Sequence, residues 1–371
     1  MRLAYRADQV GSFLRPPELL EARKSVPPNP MRLKEVEDRC ILEALAKQKE
    51  IGMEIFTDGE FRRSNFMGDF TDAVEGIDYS DGHPRSWSAA AAGAPSLMNR
   101  GTVAGVVVNK LRVVKALTGH ELPFLKQHSP GAIKMTLPSA TQFPAIAFKA
   151  GRSDKAYKDH SALLWDIVEI IKTEMARLAD EGVKYIQIDA PRYSYFMDPK
   201  WCAWIRTEMK LESNAWLNES IRADNACFEA ARRPGVTLGI HLCRGNARSH
   251  WYAEGGYDPI AEKLFGTMNV DRFLLEYDDP RSGTFEPLRF IPRNKIVVLG
   301  LISSKLPQLE NADDVVRRIH EAAKYVDLDR LCISPQCGFS SNYLGNPITI
   351  DDQKRKLELI VTTAQSVWGG A

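Results

Sequence analysis

Eight short runs rich in β-branched and aromatic residues recur along the chain, and stretches of helical periodicity separate them. The runs are residues 3–12 (LAYRADQVGS), 54–61 (EIFTDGEF), 132–139 (AIKMTLPS) and 184–191 (KYIQIDAP), then 236–243 (VTLGIHLC), 272–279 (RFLLEYDD), 296–303 (IVVLGLIS) and 330–337 (RLCISPQC). Between them, stretches such as 31–52, 160–182 and 312–326 place apolar residues three to four apart with charges on the other face, as amphipathic helices do. Strands that alternate with helices favour a parallel sheet, and eight of them over this length predict a (β/α)8 TIM barrel. Residues 70–130 are too irregular for one βα unit. They read as a Gly/Ala-rich loop and then a β-hairpin, inserted between the second and third strands near the barrel mouth. Neither a Pro/Ser linker nor an internal repeat divides the chain, so residues 1–371 are expected to form a single domain.

Composition narrows the function classes. The formal net charge of +1 and the lack of a basic run give no nucleic-acid footprint. No stretch approaches 18 consecutive apolar residues, and the N-terminal residues lack the apolar core of a signal peptide, so the expectation is a cytoplasmic protein without membrane partners. Six cysteines in 371 residues do not form a disulfide framework; Cys40, Cys202, Cys227 and Cys332 read as free, largely buried thiols.

Polar residues gather at the C-terminal ends of the runs: Asp8 and Ser12, Asp58 and Glu60, Asp189, His241 and Cys243, Glu276, Ser303, and Cys337. A barrel with its site at the C-terminal mouth requires this polarity, although turns that begin at strand ends also collect polar residues. Three pieces of the pattern suit a metal. In His241-Leu242-Cys243 the strand period of two points both side chains to one face. Glu276 follows Phe273-Leu274-Leu275 and would be a nearly buried carboxylate in need of a cation or donor. Cys337 lies in a Pro-Gln-Cys-Gly turn, where a cysteine is not placed for packing. An imidazole, two thiolates and a carboxylate suit Zn²⁺, and such an ion would keep a substrate thiol deprotonated at neutral pH.

These pieces carry a resemblance. DQVGSFLRP (8–16), TDGEFRRSNF (57–66), IQIDAP (186–191), HLCRGN (241–246), LGLISSKLPQLE (299–310) and SPQCGF (334–339) resemble, in order and over essentially the whole chain, the catalytic half of cobalamin-independent methionine synthases. The likeness is greater to the short single-barrel members of that family. It implies zinc on His241, Cys243 and Cys337, with Glu276 as fourth ligand in the resting state. It also implies that Ser12 and Glu60 hold the amino and carboxyl groups of homocysteine and that Asp189 meets the ammonium; Asp58 stands beside Glu60 in the same motif.

The sequence departs from the long members of the family at several points. Asp189-Ala190-Pro191-Arg192 replaces their Asp-Glu-Pro, and the strand that would carry a folate-stacking tryptophan has none. Lys305 stands where they carry a histidine that protonates the departing folate, which makes Lys305, with Asp189, a candidate catalytic residue. Arg192 and Arg244 could bind an anionic thiol or form loop salt bridges.

Three functions remain open on this reading. The first is a zinc-dependent thiol S-methyltransferase that makes methionine from homocysteine, with a 5-methyltetrahydrofolate-type or other methyl donor. The second is a zinc-dependent alkyltransferase on another thiol, as in epoxyalkane:coenzyme M transferase, a related scaffold. The third is a non-catalytic barrel that binds zinc or a thiol. The partners expected are a small-molecule thiol and an alkyl donor, with a homo-oligomer open.

Overall fold

The computed structural model describes residues 3–83, 85–89, 96–99 and 105–371. Among the described residues twelve strands occur in chain order: β1 (Ile55–Phe56), β2 (Val74–Asp78), β3 (Arg85–Ala89), β4 (Leu97–Asn99), β5 (Val106–Val113), β6 (Ala132–Pro138), β7 (Tyr185–Asp189), β8 (Thr237–Leu242), β9 (His250–Trp251), β10 (Arg272–Glu276), β11 (Ile296–Ile302) and β12 (Leu331–Pro335). Seven of them form one parallel sheet in the order β1-β6-β7-β8-β10-β11-β12. The curled sheet agrees with the expected barrel, and seven of the eight expected runs supply its strands.

The first expected strand, 3–12, survives as a single parallel bridge between Ala7 and Ile333. It still fills the gap between the two sheet edges. On one side Asp8 N–H donates to the Ile333 carbonyl at 2.9 Å. On the other, Phe13 N–H donates to the Gly59 carbonyl at 3.0 Å and Thr57 Oγ1 donates to the Gly11 carbonyl at 2.9 Å. The ladder stays short because Gln9 N–H turns to the Asp8 carboxylate at 2.8 Å, a local side-chain bond that competes with strand pairing. The second run shrinks to two residues because the backbone turns left-handed at Gly59 (φ 69°) and Glu60 (φ 59°).

The barrel is closed outside by amphipathic helices that start where the sequence offers a cap. Asn29 caps the helix Pro30–Ile51, Asp159 caps His160–Asp180, and Asn311 caps Ala312–Ala322. Thr349 and Asp352 form a reciprocal capping box at the start of Ile350–Trp368. Inside, alternate strand positions build layers. Leu274, Val298 and Cys332 pack with Leu3 and Ile296 in a small apolar layer. The next layer is polar: Lys134 Nζ lies 2.8 Å from Asp8 Oδ1, and the Tyr185 hydroxyl donates to Asp8 Oδ2 at 2.8 Å. Two alternations beyond Tyr185 on β7 comes Asp189, with His241 opposite it on β8, at the mouth.

Residues 70–130 are an insertion, as expected, but the antiparallel pairs are nested. β2 pairs with β5, and β3 pairs with β4, so the adjacent strands β4 and β5 do not pair with each other among the described residues. The Gly/Ala-rich residues 90–95 lie outside the described residues. β3 also pairs with β9, Ser88 opposite Trp251 and Ala89 opposite His250, which ties the insertion to the loop after β8. Among the described residues no helix is long and apolar enough to cross a membrane.

Candidate metal centre and substrate cavity

His241, on the last full turn of the β8 pleat, and Cys243, just beyond it, converge with Cys337 from the turn after β12. Their ligating atoms all lie within 4.8 Å of one another, and all three residues are buried. Neither ring nitrogen of His241 has a hydrogen-bond partner, an arrangement that is costly for a buried imidazole unless a further group binds it. The two sulfurs divide one proton: the contact with Cys243 draws Cys337 well below the usual thiol range, while Cys243 is driven well above it. Lys305 and His241 also favour the Cys337 thiolate.

The Cys337 turn is fixed by close packing. A Cβ on Gly338 would lie 2.0 Å from Ser12 Oγ, so the two segments meet only because residue 338 is glycine. Phe339 N–H donates to the Ser12 carbonyl at 2.9 Å, and Asn246 Nδ2 donates to the Gly338 carbonyl at 2.8 Å. Ser12 and Asn246 thereby join the thiol turn to the N-terminal segment and the β8 loop.

Glu276 lies beside this group but is held by other partners. Its Oε2 accepts from Arg244 N–H at 2.6 Å, and its Oε1 pairs with Arg281 and lies 3.7 Å from Lys305 Nζ. Burial alone would raise its pKa; Lys305, Arg281 and Arg244 outweigh it and hold the carboxylate at about 2. Glu276 is not among the residues whose ligand atoms converge within 4.8 Å; its carboxylate is held by these cations instead.

A cavity opens above the thiols. Ser12, Glu60, Asp189 and Arg192 line it together with His241, Cys243 and Cys337. Asp189 Oδ1 accepts from Gln187 at 2.7 Å, and burial raises its pKa to about 7, with His241 opposing and Glu60 adding to the shift. Glu60 Oε1 accepts from Thr136 at 3.0 Å, whereas Oε2 is buried without a partner. Arg192 lies over the rings of Tyr195 and Tyr252, 5.0 and 4.8 Å from their centroids, and donates to the Tyr195 hydroxyl at 2.9 Å.

Besides Glu276, three sequence candidates are not on the cavity wall. Arg244 is fully buried, and its guanidinium donates to the carbonyls of Gly255 and Ser282 and to the Tyr257 hydroxyl. Asp58 lies beneath the wall, where its Oδ1 accepts from Glu60 N–H at 2.8 Å. Lys305 sits behind Glu276, and its Nζ has no hydrogen-bond partner. Conversely, the cavity includes Phe66, Met67, Trp87, Gln142 and Tyr252, which the strand-end pattern did not mark. Trp87 comes from the insertion and packs edge-on against Tyr252 with ring centroids 4.9 Å apart. The β-character of residues 85–89 was the available signal; their position over the mouth is a tertiary fact.

The sequence and the fold have known counterparts. Residues 6–365 match the family model of the cobalamin-independent synthase catalytic domain. The uncharacterized protein YxjH of Bacillus subtilis is 37% identical over 380 residues, covering 98% of this chain and 95% of its own. A methionine synthase of Sulfurisphaera tokodaii is 24% identical over 336 residues, covering 89% of this chain and 84% of its own. Among solved structures, a B12-independent methionine synthase from a Shewanella species, in complex with selenomethionine, superposes with a TM-score of 0.72 at 22% identity and covers 98% of each chain. The chain belongs to the cobalamin-independent methionine synthase catalytic-domain family.

Proposed function

We propose that this protein is a zinc-dependent S-methyltransferase that converts homocysteine to methionine. The observation that carries the reading is the convergence of two thiols and an unpartnered imidazole at the base of a cavity with free carboxylate acceptors. The donor set fits zinc: two sulfurs and one ring nitrogen are ligands that this ion prefers, and a catalytic site leaves a position for substrate. His241, Cys243 and Cys337 would hold the ion, and bound zinc would lower the pKa of a substrate thiol so that its sulfur is nucleophilic at neutral pH.

The remaining tasks belong to side chains. Glu60 Oε2 and Asp189 accept hydrogen bonds from the substrate ammonium, whose charge draws both carboxyls toward their ionised forms. Ser12, pinned against Gly338, offers its hydroxyl beside the thiol end. Lys305 and Arg281 pair with Glu276 and offset part of the repulsion between its buried charge and the Cys243 sulfur. In the transfer, the substrate sulfur forms its bond to the methyl carbon as the donor departs with the electron pair of the bond that breaks. Arg192, the cation on the cavity wall, favours an alternative acceptor with an anionic head, such as the sulfonate of coenzyme M.

Calorimetric titration of the zinc-loaded protein with homocysteine and, in parallel, coenzyme M separates the two. Tight homocysteine binding with proton release supports the first reading. Preference for coenzyme M replaces it with the second. Metal analysis that finds no zinc bound through the cysteines rules out both.

A further inference from the structure

Glu60 occupies a backbone conformation that residues with a Cβ avoid, φ 59°. Such a conformation persists only where the surroundings over-determine it, and it is common at functional positions. Here its N–H donates to Asp58 Oδ1 at 2.8 Å, and its carbonyl accepts from Arg15 Nη2 at 2.6 Å and from Arg63 N–H at 3.1 Å. The carboxylate is fixed as well. Thr136 Oγ1 donates to Glu60 Oε1 at 3.0 Å and itself accepts from Arg63 Nη1 at 3.0 Å. Arg63 Nη2 also donates to the Thr136 carbonyl at 3.0 Å.

Arg63 is in turn immobilised from behind. Its Nε and Nη2 donate to the two oxygens of Glu121, each at 2.7 Å, and Nη2 lies 2.8 Å from Asp69 Oδ2. A planar guanidinium with donors in a fixed fork sets all these partners in one frame, which an ammonium on a flexible stem does not. Arg63 is 2% exposed and does not line the cavity, so it acts there through Glu60, by way of Thr136 and by its own longer ion pair, Nη1 to Glu60 Oε1 at 3.9 Å.

We propose that Arg63, clamped by Glu121 and Asp69, is a positioning residue that selects ammonium-bearing thiols by aiming Glu60 Oε2 into the cavity through Thr136. The inference rests on the reading that a thiol substrate occupies this cavity. A buried acceptor already aimed and lacking a partner needs no reorganisation when an ammonium arrives, so affinity gained there is specific to that group. Thiols without the ammonium gain nothing from Glu60.

The same cluster has the outline of a metal site. His120 Nε2 lies 3.6 Å from Asp69 Oδ1 and 3.7 Å from Glu121 Oε1, and the three residues have ligand spacing. Arg63 already pairs with both carboxylates, however, and a fixed guanidinium repels a second cation in that space. The cluster is therefore a charge clamp.

The test is calorimetric titration of the full-length, zinc-loaded protein with homocysteine and with 4-mercaptobutyrate, its analogue without the amino group. In Arg63→Lys, homocysteine binding is expected to weaken by about 10-fold or more, as loss of a charge-assisted contact would give, and 4-mercaptobutyrate binding to change by less than about twofold. Thr136→Val removes only the bridging hydroxyl at nearly constant shape; it decides the matter if Arg63→Lys does not fold, with an expected loss of roughly 3- to 10-fold for homocysteine alone. Equal weakening of both thiols, or unchanged homocysteine binding in Thr136→Val, overturns the inference while leaving the proposed function intact. A second bound zinc that disappears in His120→Ala also overturns it. Wild-type protein that binds no homocysteine overturns the proposed function, and the inference with it.

Discussion

Gly11 and Glu60 share a space that admits no side chain at residue 11: a Cβ there would lie 2.7 Å from Glu60 Oε1 and 2.9 Å from Thr136 Cγ2. Gly11 also has φ +144°, which a residue with a Cβ rarely adopts. Gly11→Ala therefore strains the backbone and displaces the carboxylate together. We expect a loss of about 1–3 kcal/mol in stability by chemical denaturation. Homocysteine affinity should fall further than 4-mercaptobutyrate affinity. An alanine variant with wild-type stability and affinity would show that Glu60 can move freely.

The metal set makes a second prediction. Cys337→Ser and His241→Ala each remove a donor from a site whose remaining ligands are buried. Purified variants should lose bound zinc by metal analysis. Because a ligand that binds only the folded state stabilises it by mass action, a chelator should lower the Tm of the wild type and have little effect on either variant. Full zinc occupancy in Cys337→Ser would remove that thiol from the set.

Glu276 tests where the ligand set ends. Its oxygens are engaged by Arg244 N–H and by the Arg281 and Lys305 cations, all inside the protein. Removing the charge takes a buried counter-ion from Lys305 and Arg281, although Arg281 keeps Asp278 and Asp279, and is expected to cost about 1–3 kcal/mol. Glu276→Gln should therefore unfold at markedly lower denaturant concentration while keeping its zinc. Loss of zinc equal to that in Cys337→Ser would instead make Glu276 a direct ligand.

The barrel was legible because its six longest strands are largely apolar and a polar residue stands at or just beyond the C-terminal end of each. The N-terminal strand was not, since Asp8 and Gly11 look like ordinary strand residues in sequence and break the ladder only through a local hydrogen bond and an unusual φ. The convergence of His241, Cys243 and Cys337 was legible only when residue type, the strand period and the turn at Cys337 were joined. Arg244 was misleading: it sits in the same motif as Cys243, yet successive residues point to opposite faces, and its charge is spent on loop carbonyls. Trp87 was invisible because only the pairing of β3 with β9 brings the insertion to the mouth.

Asp224 provides a pH test remote from the metal set. It is fully buried, accepting from Ser139 Oγ at 2.7 Å and from the Tyr193 hydroxyl at 2.8 Å. Burial raises its pKa from 3.8 to about 7, and the two donors offset only part of that rise. The folded state thus favours the neutral carboxyl. The stability this contributes is fully present below the unfolded value near pH 3.8 and is lost as pH rises toward about 7. A shift of this size corresponds to at most about 4 kcal/mol across the window. Asp224→Asn is neutral at every pH and escapes the loss. The stability of the variant relative to wild type, measured by urea denaturation, should therefore rise between pH 4 and pH 7 and level off above it. A difference that stays flat across that window would mean that Asp224 ionises as readily in the folded barrel as in the unfolded chain.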